Sequence, residues 1–97
     1  MNILHLTIHR RWFDAICSGT KHEEYRTCGD YWRARLMVGQ QFRKFDAIVF
    51  RNGYRSDSPT VVVQHLGTSI GIGRQRWGAP RRKVFRLQLG EIVSRAE

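Results

Sequence analysis

Cysteine and proline are scarce in this chain, two of each in 97 residues, and acidic residues are few beside basic ones. Cys17 and Cys28 are eleven positions apart, with no Cys-x-x-Cys spacing, which excludes a zinc clip or a dithiol redox pair. In a reducing compartment both are expected as thiols rather than a disulfide. Long apolar runs are also missing. No segment nears the roughly 18 apolar residues of a membrane-spanning helix, and no basic amphipathic stretch is long enough to lie on a bilayer. The opening residues, Met1 to His9, have neither the apolar block nor the small-residue cleavage site of a signal peptide, so a cytoplasmic protein is expected. No repeat, linker or low-complexity tract divides the sequence. Its length suits one small core, and residues 1–97 are read as a single domain.

What the chain does have is base, and above all arginine. Lys and Arg number 17 against 8 Asp and Glu, a formal net charge of +9, and fourteen of the 17 are arginine. That excess favours a polyanionic partner. The guanidinium is a planar fork that holds phosphate in pairs of hydrogen bonds and stacks on bases, so RNA is the expected partner, with DNA also compatible with the charge.

Hydrophobic patterning divides the chain into short elements. Ile3 to His9 alternates like a strand, with Leu4, Leu6 and Ile8 on one face and His5, Thr7 and His9 on the other. From Arg10 to Ser18, Trp12, Phe13, Ile16 and Cys17 fall on one face of a helix, and Gly19 suits its left-handed stop. The spacing then predicts a strand over Lys21 to Arg26 and, with Asp30 as N-cap, a second helix over Tyr31 to Val38 ended by Gly39. In that helix either Tyr31, Ala34 and Val38 or Trp32, Leu36 and Met37 would face inward. Further strands are expected over Asp46 to Arg51, closed by Asn52-Gly53, over Val61 to Ile72 as one long strand or a bent pair broken near Gly67, and over Val84 to Val93. Strands outnumber helices. The expected fold is α+β, a small mixed barrel of about five to six strands with two short helices.

The densest chemistry lies at Gly19-Thr-Lys-His-Glu-Glu-Tyr-Arg26. On a plain strand Lys21, Glu23 and Tyr25 share one face while His22, Glu24 and Arg26 share the other; a bulge after Gly19 would bring Lys21 to the later pair. Two cations around a carboxylate suit a phosphate, a base edge or a proton transfer. A salt-bridge ladder on an edge strand fits the same spacing. For an enzyme the candidates are Lys21, Glu24 and Tyr25. Thr20, Tyr25 and Thr27 supply hydroxyls that Lys21 could activate if burial or Arg26 lowers its pKa.

Residues 74–86 carry six positive charges and no acid, with Trp77 among the arginines. Arg74, Arg76 and Trp77 could combine phosphate neutralisation with stacking, or Trp77 could cap the core. Tyr54 and Arg55 form a second candidate surface that reads equally as a hairpin turn. Gly67, Gly71 and Gly73 are followed by Arg74 and Gln75 and not by the Lys and hydroxyl of a phosphate loop. His5 and His9 would lie about 13 Å apart along one strand, too far to share an ion, so neither a metal nor a cofactor is expected.

The motif Gly-x-Lys-x-x-Glu-x-Arg, present as Gly19, Lys21, Glu24 and Arg26, resembles the hallmark of the ASCH domain, a family with a PUA-like β-barrel. Residues 12–18, 45–54, Trp77-Gly-Ala-Pro80 and Leu89-Gly-Glu-Ile-Val93 are similar to the small single-domain ASCH proteins of bacteria and phages, so the resemblance spans nearly the whole chain. It implies a cleft between barrel and helices lined by the hallmark residues. It further implies an RNA-related role, and with the charge and spacing it makes Lys21, Arg26, Trp32, Tyr54, Arg55, Arg74, Arg76 and Trp77 the expected RNA-binding residues. Some members resemble ribonucleases. Others resemble amidohydrolases of N4-acetylcytidine, in which the residue three after the lysine is a threonine nucleophile. Here that residue is Glu24, and the acyl-enzyme route has no nucleophile. The expectation is therefore an RNA-binding domain first, an RNA-directed hydrolase using Lys21 and Glu24 second, and an adaptor for a host protein third.

Overall fold

The computed structural model describes residues 1–96. The first strand, β1 (Ile3–Ile8), buries Leu4, Leu6 and Ile8 by simple alternation. Helix α1 (Arg10–Cys17) follows after one residue, and its Phe13 and Ile16 are buried against the same core. The helix stops where the sequence says it should. Gly19 takes φ +79°, a left-handed conformation that lets the chain reverse, and the amides of Thr20 and Lys21 both donate to the Ala15 carbonyl at 2.9 and 3.1 Å.

Strand β2 (Glu23–Thr27) starts two residues later than the spacing suggested, so Lys21 lies in the turn before it. Helix α2 (Asp30–Leu36) begins after Gly29, with Asp30 in its first turn and not at the N-cap. It is also shorter than expected. Met37–Val38 (β3) leaves the helix and pairs antiparallel with Gln41–Phe42 (β4), a small hairpin turned at Gly39. Three longer strands complete the fold: β5 (Ala47–Asn52), β6 (Thr60–Ile72) and β7 (Lys83–Ala96), with a 3₁₀ turn at Gln75–Trp77 between the last two.

The main sheet has the order β1-β5-β6-β7-β2, parallel between β1 and β5 and antiparallel elsewhere. The molecule is thus α+β, with two α-helices, a mixed five-stranded sheet and a two-stranded hairpin. β6 is one continuous strand, and its register against β7 shifts between Val62 and Gly67, where extra residues bend the ribbon. Phe50, Val61, Val63, Phe85, Leu87 and Leu89 form the centre of the main core. A smaller cluster of Tyr25, Trp77, Ala79 and Val84 lies on the other face of β7, as the alternation of Val84 and Phe85 requires.

The expected closed barrel is corrected here. β1 and β2 are the two ends of the sheet and share no ladder. Closure needs their backbones to pair, yet the contact across the seam is made by a side chain, Arg26 Nη2 on β2 donating to the Thr7 carbonyl on β1 at 3.2 Å. The seam stays open as a cleft.

Candidate functional site

The cleft at this seam has a volume of about 620 Å³, within the range of small-molecule sites. One wall is β1, with His5, Thr7 and His9; the other is β2 and the start of α2, with Glu24, Arg26, Tyr31 and Trp32. Trp12, Trp77 and Tyr54 also line it.

Glu24 and Arg26 form its floor and, with Lys21 behind them, make an ion triad. Lys21 Nζ lies 3.0 Å from Glu24 Oε1, and Arg26 Nη1 lies 2.6 Å from Glu24 Oε2, so one carboxylate is held by a cation at each oxygen. The Lys21 and Glu24 side chains are 1% and 7% exposed. Charges this deep persist only when paired and hydrogen-bonded. Here the pairing extends further: Lys21 Nζ donates to the Trp77 carbonyl and sits 4.5 Å from the centre of the Trp12 ring, while Arg26 Nη1 also donates to the Tyr25 carbonyl at 2.7 Å. The Arg26 guanidinium stands 5.1 Å from the Trp32 ring centre. Burial holds the Lys21 ammonium below its ordinary pKa; Glu24 opposes that shift and Arg26 adds to it.

The structure brings Lys21, Glu24 and Arg26 together, the grouping for which the sequence required a bulge. The reversal after α1 supplies it, because Lys21 precedes the strand and reaches Glu24 from below. Lys21 does not line the cleft. It lies behind the floor and forms part of a separate apolar groove with Ile16, Leu66 and Ile92, so it acts on the cleft through Glu24 and Trp77.

Tyr25 also borders the cleft, but its hydroxyl is committed elsewhere. It donates to Glu23 Oε1 at 2.8 Å and accepts from the Arg74 amide at 3.0 Å. Burial, helped by Glu23 and opposed by the Arg74 amide, pushes this phenol up to about 12. Activation of Tyr25 by Lys21 is therefore not what the geometry provides. Thr20 pairs with Ser18 at 2.9 Å, and Thr27 is exposed.

Trp77 is buried, with the guanidinium groups of Arg74 and Arg76 at 5.1 and 5.2 Å from its ring centre and His22 edge-on at 5.6 Å. It braces the site and is not an open stacking platform. Trp32 is half-buried at the cleft wall and Tyr54 is fully open at its mouth. Arg55 is exposed beside Tyr54 and pairs with Asp57 at 3.3 Å. Arg74 and Arg76 are exposed beside Trp77, whereas Arg86 is tied to Ser69 and the Ile72 carbonyl.

Sequence reasoning missed Trp12 and Tyr31 as cleft residues and weighed His5 and His9 only as metal ligands. The alternation of β1 already separated His5, Thr7 and His9 from the core face. Nothing in the sequence said that this face would look across at β2. Among the described residues no cluster of three or more His, Cys, Asp or Glu is placed to hold a metal, and no helix is long and apolar enough to cross a membrane.

Comparison of the chain with protein-family models, with curated proteins and with solved structures found no match.

Proposed function

We propose that this protein is an RNA-binding domain of the ASCH, PUA-like type that takes one unstacked base into the cleft between β1 and β2. The observation that carries this reading is the clamped carboxylate: Glu24, held at both oxygens by Lys21 and Arg26, lies at the floor of an aromatic-walled cleft in a chain of net charge +9.

Exposed arginines gather phosphates, displacing counterions and making affinity fall as salt rises. A base entering the cleft lies against Trp32 and Trp12, whose rings supply stacking area. A carboxylate keeps spare lone pairs after accepting one bond at each oxygen, so Glu24 accepts from an exocyclic amine, which selects cytosine or adenine over uracil. Arg26, fixed by Thr7 and Tyr25, presents its remaining donors to a ring nitrogen or carbonyl. Lys21 is a positioning residue that keeps Glu24 paired and pointed into the cleft.

A second reading, an RNA-directed hydrolase, is favoured by one feature: a carboxylate beside an ammonium whose proton is loosened by burial. In that case Glu24 takes a proton from attacking water and the Lys21–Arg26 side stabilises developing negative charge.

End-labelled structured RNA incubated with wild type, Arg26→Gln, Lys21→Met and the distant surface variant Lys44→Gln separates these readings when each sample is run on native and on denaturing gels. The binding reading expects a shift with intact RNA, weakened far more by Arg26→Gln than by Lys44→Gln. Shortened RNA from wild type that Lys21→Met abolishes, with the fold intact by circular dichroism, establishes the hydrolase instead. Equal effects of Arg26→Gln and Lys44→Gln would sink the cleft and leave a diffuse cationic surface. Neither shift nor shortening would leave the protein adaptor.

A further inference from the structure

Among the described residues two aromatic side chains are exposed, Tyr31 at 60% and Tyr54 at 92%, and both border the same cleft. They come from opposite sides of it. Tyr31 opens α2, which the chain enters from β2, while Tyr54 follows β5, the partner strand of β1. Each is accompanied by an arginine: the Arg35 guanidinium stacks on Tyr31 at 4.5 Å from the ring centre, and Arg55 is the next residue after Tyr54. A large aromatic left in water contributes nothing to the core, and two of them at one cleft, each with a cation, form the combination that single-stranded nucleic acid uses for base stacking and phosphate neutralisation.

We infer that the ligand is a single-stranded RNA segment of at least three nucleotides, with the central base in the cleft and its two neighbours stacked on Tyr31 and Tyr54. This rests on the RNA-binding reading and deepens it by naming the form of the RNA. A duplex is disfavoured by the same geometry, because the central base must leave its stack and both neighbours must turn to rings on opposite sides of the seam. Arg35 and Arg55 meet the flanking phosphates. Trp12 and Trp32 hold the central ring.

The test measures affinity at one salt concentration by quenching of tryptophan fluorescence, using the trinucleotides UCU and UAU, the same trinucleotides with abasic flanking positions, and cytidine and adenosine monophosphate. The abasic trinucleotides keep the phosphates and remove only the flanking bases. Wild type is expected to bind an intact trinucleotide about 25-fold or more tighter than its abasic counterpart, the product of two bases each stacked on one ring. Tyr31→Ala and Tyr54→Ala each lose about fivefold or more on the intact trinucleotide and almost nothing on the monophosphate, while Tyr→Phe at either position restores binding. Equal affinity for intact and abasic trinucleotides overturns the three-base site and leaves the single-base cleft standing. Failure of every monophosphate and trinucleotide to bind removes the RNA reading itself.

Discussion

Glu24 joins the buried Lys21 to the half-buried Arg26, so the three members of the triad are not equivalent. Removing its charge leaves the Lys21 ammonium buried without an ion pair, and such an orphaned buried charge typically destabilises by about 3–5 kcal/mol. Glu24→Gln is therefore expected to lower the urea unfolding midpoint sharply, whereas Lys21→Met, which leaves Glu24 paired with Arg26, lowers it less; the reverse order would mean that the Lys21 bond to the Trp77 carbonyl outweighs the ion pairs. The titrations at this site act in opposite directions. The Lys21 ammonium is depressed in the folded protein, so the unfolded chain binds more protons below the ordinary value of 10.5 and stability rises as pH climbs toward that value. Tyr25 moves the other way, from 10.0 to about 12, so above pH 10 the unfolded phenol ionises while the folded one keeps its proton in place beside Glu23. Stability then falls with pH between 10 and about 12. Tyr25→Phe is expected to remove that alkaline loss, measured by chemical unfolding across the window; an unchanged slope would show that another group produces it.

The short 3₁₀ turn holds more of the site than its length suggests. It places the Trp77 carbonyl over Lys21, and it is followed by Gly78 at φ +98°, where a Cβ would also come within 2.9 Å of the Trp12 ring. Gly78→Ala should cost about 1–3 kcal/mol in thermal unfolding from backbone strain, and it should weaken ligand binding by displacing both tryptophans. Wild-type stability in that variant would mean that the turn adjusts freely. Much of the element pattern was legible in the sequence because period and alternation report burial: β1, α1, β5 and the long β6 appear near their expected bounds. The β3–β4 hairpin was not legible, since two-residue strands have no period and Leu36-Met37 suits a helix equally well. The hallmark spacing identified Lys21, Glu24 and Arg26, but it could not show that Lys21 lies beneath the cleft, because lysine is ordinarily exposed. Nor could it show that Trp77 is covered by Arg74 and Arg76, which is decided by tertiary packing. Alternation says which way a side chain points; which strands pair is set elsewhere, and so the open seam was read as a barrel.

At the scale of the whole molecule the charge is unevenly used. Two arginines are tied into the fold, Arg26 in the triad and Arg86 against Ser69 and Ile72, while Arg11, Arg35, Arg55, Arg74 and Arg76 stay exposed. The stretch Leu66 to Ile72 carries no charge of its own, and Leu66 and Ile72 are open to solvent. The seam itself has a dynamic consequence. Because a guanidinium spans it and not a ladder, the cleft can widen by releasing the Arg26 bond to Thr7 while β1 stays zipped to β5 and β2 to β7. Such breathing is far cheaper than unfolding a strand, and it should appear in deuterium exchange as fast amides along the inner edges of β1 and β2 beside slow ones in the β5–β6–β7 centre. A bound ligand would bridge the two edges and slow them together, so that occupancy could be timed from the backbone itself.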